Sequence, residues 1–216
     1  HLGIALMIAT TVVFAVQDGI SRYLAENYNV ITVVTIRYLF FMCFVLVYSS
    51  RQKGGIRHVA SSGQLPLQIG RGLLLVAQIC IAILSFSTVG LVNFHAVFAS
   101  YPLMVMALSV PVLGETVGWR RWLAVCVGFC GVLLILRPGT AMFSSASVLP
   151  VLAAFMMAVY GILTRYAARR DAAETSFFWT AMAGGIAMVC IGPFFWLPPI
   201  GSDWGWMGLL CLTGTG

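Results

Sequence analysis

Charge is what this chain of 216 residues has least of: 8% of them are Asp, Glu, Lys or Arg, where a soluble domain carries roughly 25%. A water-soluble fold this poor in charge has too little to cover its surface with. The apolar runs also lack the every-second-residue alternation of a membrane β-barrel. There is no disulfide framework, since the six cysteines lie mostly inside apolar runs. Cys126 and Cys130 are one helical turn apart, without a His or acid at ligand spacing, so they read as packing and no metal is expected. No G-x-x-x-x-G-K-S/T loop occurs, which excludes nucleotide binding of that type. Neither a G-x-S-x-G elbow nor an H-E-x-x-H helix is found.

What is there is oil. Hydrophobic residues make up 61% of the chain and mean hydropathy is +0.99. Several runs approach the roughly 20 residues that a helix needs to cross a bilayer. The composition therefore predicts an all-α, polytopic membrane protein. Spans are expected at 2–25, 30–49, 70–89, 92–113, 119–136, 148–168 and 177–197, with an eighth starting near Trp204. The first is too long for a signal peptide and lacks its small-residue cleavage pattern.

The cations give a direction. Arg51, Lys53, Arg57 and Arg71 surround the second loop, Arg120 and Arg121 the turn after the fourth span, and Arg165, Arg169 and Arg170 the turn after the sixth. If the spans alternate, these nine lie on one side and only Arg22, Arg37 and Arg137 lie elsewhere. The positive-inside rule puts those loops and the N-terminus in the cytoplasm, with the inner membrane as the location. Trp119 and Trp122 then mark the inner interface, and Trp196, Trp204 and Trp206 the outer one.

The seam LGETVGWRRW reads as a tight cytoplasmic hairpin. Gly114 is expected to end one helix and Thr116 to cap the next. Glu115 then sits at the positive end of that helix, with Arg120 and Arg121 reaching back to it or to lipid headgroups. The competing reading gives these charges a direct part in solute handling.

An internal repeat is present. GISRYLA at 19–25 aligns with ILTRYAA at 162–168, an offset of 143. The two stretches close the first and sixth spans, five spans apart. An odd number of spans inverts the second copy in the membrane, a recurring plan of secondary transporters. The expected division is a first five-helix repeat at 1–139 and the start of a second at 140–216. Two full units imply a chain of about 290 residues, of which this one is expected to be a fragment.

Residues 70–139 carry a family resemblance. They hold an arginine-glycine entry to the third span (Arg71, Gly72), an aromatic-proline step in the fourth (Tyr101, Pro102), a Leu-Gly-Glu turn ending at Glu115, and a glycine-rich fifth span closing on Arg137 and Pro138. In this the chain resembles EamA-type members of the drug/metabolite transporter superfamily. The resemblance implies ten helices in two inverted halves, about seven complete and an eighth truncated here, with both ends cytoplasmic. It also implies alternating-access movement of a small metabolite. His95 departs from it, because that position is more often small.

Polar groups inside a span are costly and each needs a reason. Asp18 lies seven residues before the end of the first expected span and Arg37 seven after the start of the second. In an antiparallel hairpin this puts both about 10 Å below the outer edge. They are expected to pair, with Arg22 competing for Asp18 at i+4. The pair reads either as a lock on the hairpin or as a charged wall to a cavity. Thr11, Phe14, Asp18 and Arg22 are expected to face inward as one stripe, and Met156, Tyr160 and Thr164 as another. Tyr160 aligns with Gln17 in the repeat. Gln78, in mid-span, must bond either a neighbouring helix or a ligand. Asn93 reads as a cap, and His95 as an interface histidine or a ligand contact. Pro102 removes a backbone donor in mid-helix and is expected to kink it, making the fourth span a gating element.

The leading reading is a secondary transporter of a small organic metabolite, such as an amino acid, vitamin, nucleoside-like compound or drug. Candidate binding or coupling residues are Gln17, Asp18, Arg37, Gln78, His95, Tyr101 and Tyr160. The alternative is a membrane-embedded hydrolase or lipid-modifying transferase, which needs a nucleophile and a base within reach. His1 and His58 lie away from the spans and His95 has no evident nucleophile beside it, so no catalytic residue is assigned. A structural or receptor subunit is the third alternative, and it requires a packed interior without a cavity. A solute and membrane lipids are the expected partners, with room for a homodimer. No cofactor and no nucleic acid are expected, the basic balance being explained by topology.

Overall fold

The computed structural model describes residues 2–52, 55–114, 118–136, 148–201 and 203–214. Among them every regular element is a helix. Helix α1 (Leu2–Asn27) turns through Tyr28 and Asn29 into α2 (Val30–Ser50). Asn29 caps α2, its side-chain oxygen accepting from the Ile31 N–H at 3.1 Å, which satisfies one of the orphan donors of a helix start. The basic loop that follows holds a short helix not expected from sequence, α3 (Gly55–Ala60). Its Val59 is buried with Val45, Phe178 and Ala181, so α3 plugs one end of the bundle with its one buried side chain while Ile56 stays exposed.

Helix α4 (Leu65–Val89) starts five residues before the expected 70, with Pro66 in its first turn, where a missing N–H costs nothing. It ends at Gly90, whose φ of +84° suits glycine. The expected span 92–113 is two helices, α5 (Leu91–Phe98) and α6 (Tyr101–Leu113). The break falls at Ala99 and Ser100, whose N–H groups bond back to His95 at 2.9 Å and Val97 at 3.0 Å. Pro102 has no N–H to return to Phe98, so the ladder cannot run through. The kink expected at Pro102 is thus an interruption just ahead of it. Gly114 does end α6, left-handed at φ 69°, as its sequence position predicts.

The remaining helices are α7 (Trp119–Leu136), α8 (Val148–Ala167), α9 (Ala173–Ile191) and α10 (Asp203–Thr213), with a 3-10 turn at Gly192–Phe195 after α9. Five segments, Val30–Ser50, Leu65–Val89, Leu91–Leu113, Val148–Ala167 and Ala173–Phe195, are long and apolar enough to cross a membrane among the described residues. Helices α1 and α7 fall where the first and fifth spans are expected. The chain is a multi-pass membrane helical bundle. Glu115, Thr116, Arg137, Pro138 and Lys53 lie outside the described residues.

Helix α4 is the hub, packed against α8, α9, α1, α5 and α2. A Cβ on Gly72 would stand 2.8 Å from the Ala183 Cβ, so the missing side chain is what lets α4 and α9 approach. The bundle has two ends. Loops 51–64 and 168–172 meet at one, where Asp171 bonds Ser62 and Gly63. Tyr28 and the 192–203 segment meet at the other, where Tyr28 bonds Asp203 and Thr32 bonds the Phe195 carbonyl.

Candidate functional site

Gln17, Asp18, Arg37, Gln78, His95, Tyr101 and Tyr160, drawn from six helices, all line one cavity of about 540 Å³ between α1, α2, α4, α5, α6 and α8. Its other wall is aromatic: Phe86, Phe94 and Phe98 face it. Phe86 and Phe94 meet edge to face at 4.7 Å, Phe94 stacks on Phe98 at 5.0 Å, and Phe98 reaches Tyr101 at 5.3 Å. The break between α5 and α6 places Tyr101 at the end of this row, because the chain restarts a helix there.

The polar side of the cavity departs from the expected pairing. Asp18 does not pair with Arg37. Its Oδ2 lies 3.1 Å from the His95 Nε2, and His95 in turn stacks against Phe86 at 5.9 Å. Arg37 instead donates to Gln17, whose amide oxygen, oriented toward the guanidinium, accepts from both terminal nitrogens, one at 2.9 Å. Arg22 does not reach Asp18 either: its Nε bonds Glu26 at 2.8 Å. Asp18 and Arg37 line the same cavity, and rotation about the helix axes decides the partners. The same rotation corrects the first stripe: on α1 the buried residues are Gln17, Ile20, Ser21 and Leu24, while Thr11 and Phe14 are exposed and Arg22 is half-buried. Phe14 and Asp18 nonetheless line the cavity from one edge. Asn93 is no cap: it lies inside α5 and donates to the Val89 carbonyl at 3.0 Å.

Gln78 is buried, and its amide makes no hydrogen bond to any described residue. Buried amides are nearly always bonded; this one instead borders the cavity with its donors and acceptor unengaged among the described residues. The site therefore offers the partly exposed Phe98 and Tyr101 rings, backed by the buried Phe86 and Phe94, one carboxylate with an imidazole beside it, and an unbonded amide.

A second cavity of about 400 Å³ lies toward the end of the bundle that carries loops 51–64 and 168–172, and shares Arg37, Leu75, Ile79 and Tyr160 with the first. Its other cation is Arg71, which sequence reasoning placed at the membrane edge as an orienting charge. It is instead one of the most deeply buried side chains, 2% exposed. Its terminal nitrogens donate to the Thr164 Oγ1 at 3.1 Å, the Gln68 Oε1 at 2.9 Å, the Ser176 carbonyl at 2.6 Å and the Thr180 Oγ1 at 2.9 Å. Its Cζ lies 5.3 Å from the centre of the Tyr160 ring. The signal available in the sequence was Gln68, one helical turn before it on the same face, which marks a polar stripe rather than a helix end.

The remaining candidates lie elsewhere. Pro102 is not part of the lining of either cavity. Gly114, Arg120 and Arg121 are exposed at the hairpin, with Arg120 over the Trp119 ring at 5.9 Å, a cation–π contact suited to an interface anchor. The expected contact of these arginines with Glu115 lies outside the described residues.

At the two ends, outside the spans, hydrogen bonds shift two groups in opposite senses. Asp171 accepts from the Gln68 Nε2 at 2.8 Å, the Ser62 Oγ at 2.5 Å and the Gly63 N–H at 3.1 Å. These donors hold its carboxyl below the usual range. Tyr28 donates to the Asp203 Oδ2 at 2.5 Å, and this bond to a carboxylate pushes its phenol above the usual value.

The profile of the EamA-like transporter family matches residues 1–137. The S-adenosylmethionine uptake transporter of Rickettsia felis is 25% identical over 213 residues, covering 99% of this chain and 70% of that protein. The riboflavin transporter of Vibrio cholerae is 28% identical over 176 residues, or 80% of this chain and 58% of that protein. The riboflavin transporter of Rhizobium johnstonii is 35% identical over 81 residues, 35% of this chain and 27% of that protein. No solved structure matches the chain.

Proposed function

Because the chain belongs to the EamA-like transporter family, we propose that its aromatic-walled cavity holds the small organic metabolite that it carries across the membrane by alternating access. The observation that carries this is the cavity itself: about 540 Å³ lies within the roughly 300–1,000 Å³ of small-molecule sites. It joins stacked rings to Asp18, His95 and an unbonded Gln78. Such a site suits a flat heteroaromatic solute. The named relatives carry S-adenosylmethionine and riboflavin, both built on such a ring system. Of the two, S-adenosylmethionine fits this chain better. Its sulfonium and ammonium are cations, and Asp18, the one acid in the lining among the described residues, is not paired with the Arg37 of the same lining, while ring faces attract cations as well.

The inverted repeat is part of the proposal. Its support is positional. Val30 opens α2 and Ala173 opens α9, again 143 apart. If α1, α2 and α4 correspond to α8, α9 and α10, the packing exchanges in step. The contact of α1 with α10 becomes that of α8 with α4, and the contact of α2 with α10 becomes that of α9 with α4. Tyr28 and Asp171 are also 143 apart, and each ties a helix turn to the start of the opposite half's third helix. Bonds placed alike at the two ends suit a carrier that opens one end at a time. The broken span at Pro102 supplies a moving element between them. In this reading the end carrying loops 51–64 and 168–172 faces the cytoplasm, with the protein in the inner membrane.

The test is flux in liposomes containing the full-length transporter. Labelled S-adenosylmethionine is expected to enter, with unlabelled riboflavin competing weakly. Replacing the partly exposed Phe98 by Ala should cut uptake about tenfold through lost stacking. Absence of flux and of thermal stabilisation with both compounds would overturn the proposal.

A further inference from the structure

We infer that the cavity between Arg37 and Arg71 is an anion subsite, and that it receives the carboxylate of the transported molecule while the heteroaromatic ring lies against the phenylalanines. This rests on the reading of the first cavity as the solute site. Four residues form the shared wall, so a solute that spans both cavities passes Tyr160 and Arg37.

A buried cation is costly unless an anion or several acceptors compensate it. The acceptors of Arg71 are two hydroxyls, one amide oxygen and one carbonyl, all neutral. Among the described residues no carboxylate lies within ion-pair distance of it. Asp171 is reached only through Gln68, which donates to Asp171 with its Nε2 and accepts from Arg71 with its Oε1. The Arg71 Nε is buried and has no hydrogen-bond partner among the described residues. A guanidinium has five donors in a planar fork, matched to a carboxylate. Arg37, the second cation of this cavity, bonds a neutral amide. No acid occurs in the lining of the second cavity among the described residues. The two cavities thus segregate charge. Asp18 lies in the aromatic one, Arg71 in the other, and Arg37 stands at the junction. That order matches a zwitterion with its ring and cationic centre on one side and its carboxylate on the other.

The experiment changes the ligand before it changes the protein, because Arg71 also pins α4 to α8 and α9 and its replacement can impair folding. Binding of S-adenosylmethionine and of its decarboxylated analogue is measured on the intact, full-length transporter. The carboxylate is expected to tighten binding about ten- to a hundredfold, the strength of charge-assisted hydrogen bonds. Decarboxylation also raises the net charge by one, and the two cavities together hold Arg37 and Arg71 against Asp18, so bulk charge alone also weakens the analogue and the fork is separated from it by a variant that keeps the charge. Arg71→Lys, which keeps the cation and loses the fork, is expected to shrink the preference. Arg37→Gln should do the same without touching Arg71. Equal binding of both compounds by the unaltered protein overturns the subsite and leaves the aromatic site standing. Binding of neither sinks the solute-site reading, and the subsite with it. If added phosphate or chloride restores tight binding of the analogue, and Arg71→Lys abolishes that effect, the site takes a free anion and the assignment to the solute's own carboxylate is overturned.

Discussion

Asp18 stands near Arg37 and His95 and bonds only His95. Depth counted in residues brings Asp18 and Arg37 to one level, but a helix turns 100° per residue and the side chains leave in different directions. The direct contact predicts strong coupling. Asp18→Asn and His95→Gln are each expected to lower uptake, and the double variant should be little worse than the poorer single. Their coupling should exceed that of Asp18→Asn with Arg37→Gln, by about 1 kcal/mol. The reverse ranking, measured in the same liposome assay, would contradict the geometry. Asp171 gives a pH test at the opposite extreme of depth. Its carboxyl is held below the usual range, so its bonds add stability above the unfolded value of about 3.9 and lose it as pH falls through the lower folded value. Asp171→Asn should lower thermal stability at pH 7 by about 1 kcal/mol. The gap between variant and parent should persist at pH 5 and close only under more acidic conditions. A gap that is constant down to the acid limit would place the effect in packing instead.

At the scale of elements, small residues set how close the helices come. A Cβ on Gly184 would overlap the Tyr38 ring of α2, and that ring is buried in the main core cluster with Val34, Phe86 and Met188. It has nowhere to go. Gly184→Ala is expected to destabilise the bundle by about 1–3 kcal/mol, read as a lowered unfolding temperature in detergent. Gly208 of α10 has open space around its missing side chain. There the same change should stay within about 0.5 kcal/mol. A similar loss at both sites would mean that something other than the α2–α9 contact governs the response, since helix propensity by itself favours Ala over Gly. The interrupted fourth span belongs to this scale too. Proline made the break foreseeable, while its position at Ala99 and Ser100 depended on where the preceding turn could close on His95 and Val97.

For the whole molecule, the testable quantity is direction. Loops 51–64 and 168–172 share one end, and Tyr28 and Asp203 share the other. In a variant cleared of its native cysteines, Arg169→Cys is expected to react with a membrane-impermeant thiol reagent only from the cytoplasmic side. Ile200→Cys should react only from outside, both residues being exposed. The opposite pattern would reverse the orientation drawn from the arginines while leaving the fold intact.

Sequence by itself settled the class, because a chain this poor in charge and this rich in long apolar runs has no stable place except a bilayer. It also marked most span positions, the glycine end at Gly114 and the seven polar or aromatic residues worth watching, since each such residue inside a span demands a partner. Hydropathy and residue counting carry depth but not azimuth, so partners were decided by tertiary packing. That packing gave Asp18 to His95, gave Arg37 to Gln17, and gathered residues from six helices around one cavity. It also turned Arg71 from a membrane-edge charge into a buried guanidinium, because acceptors on α8 and α9, about a hundred positions away, replace the water that a cation otherwise seeks.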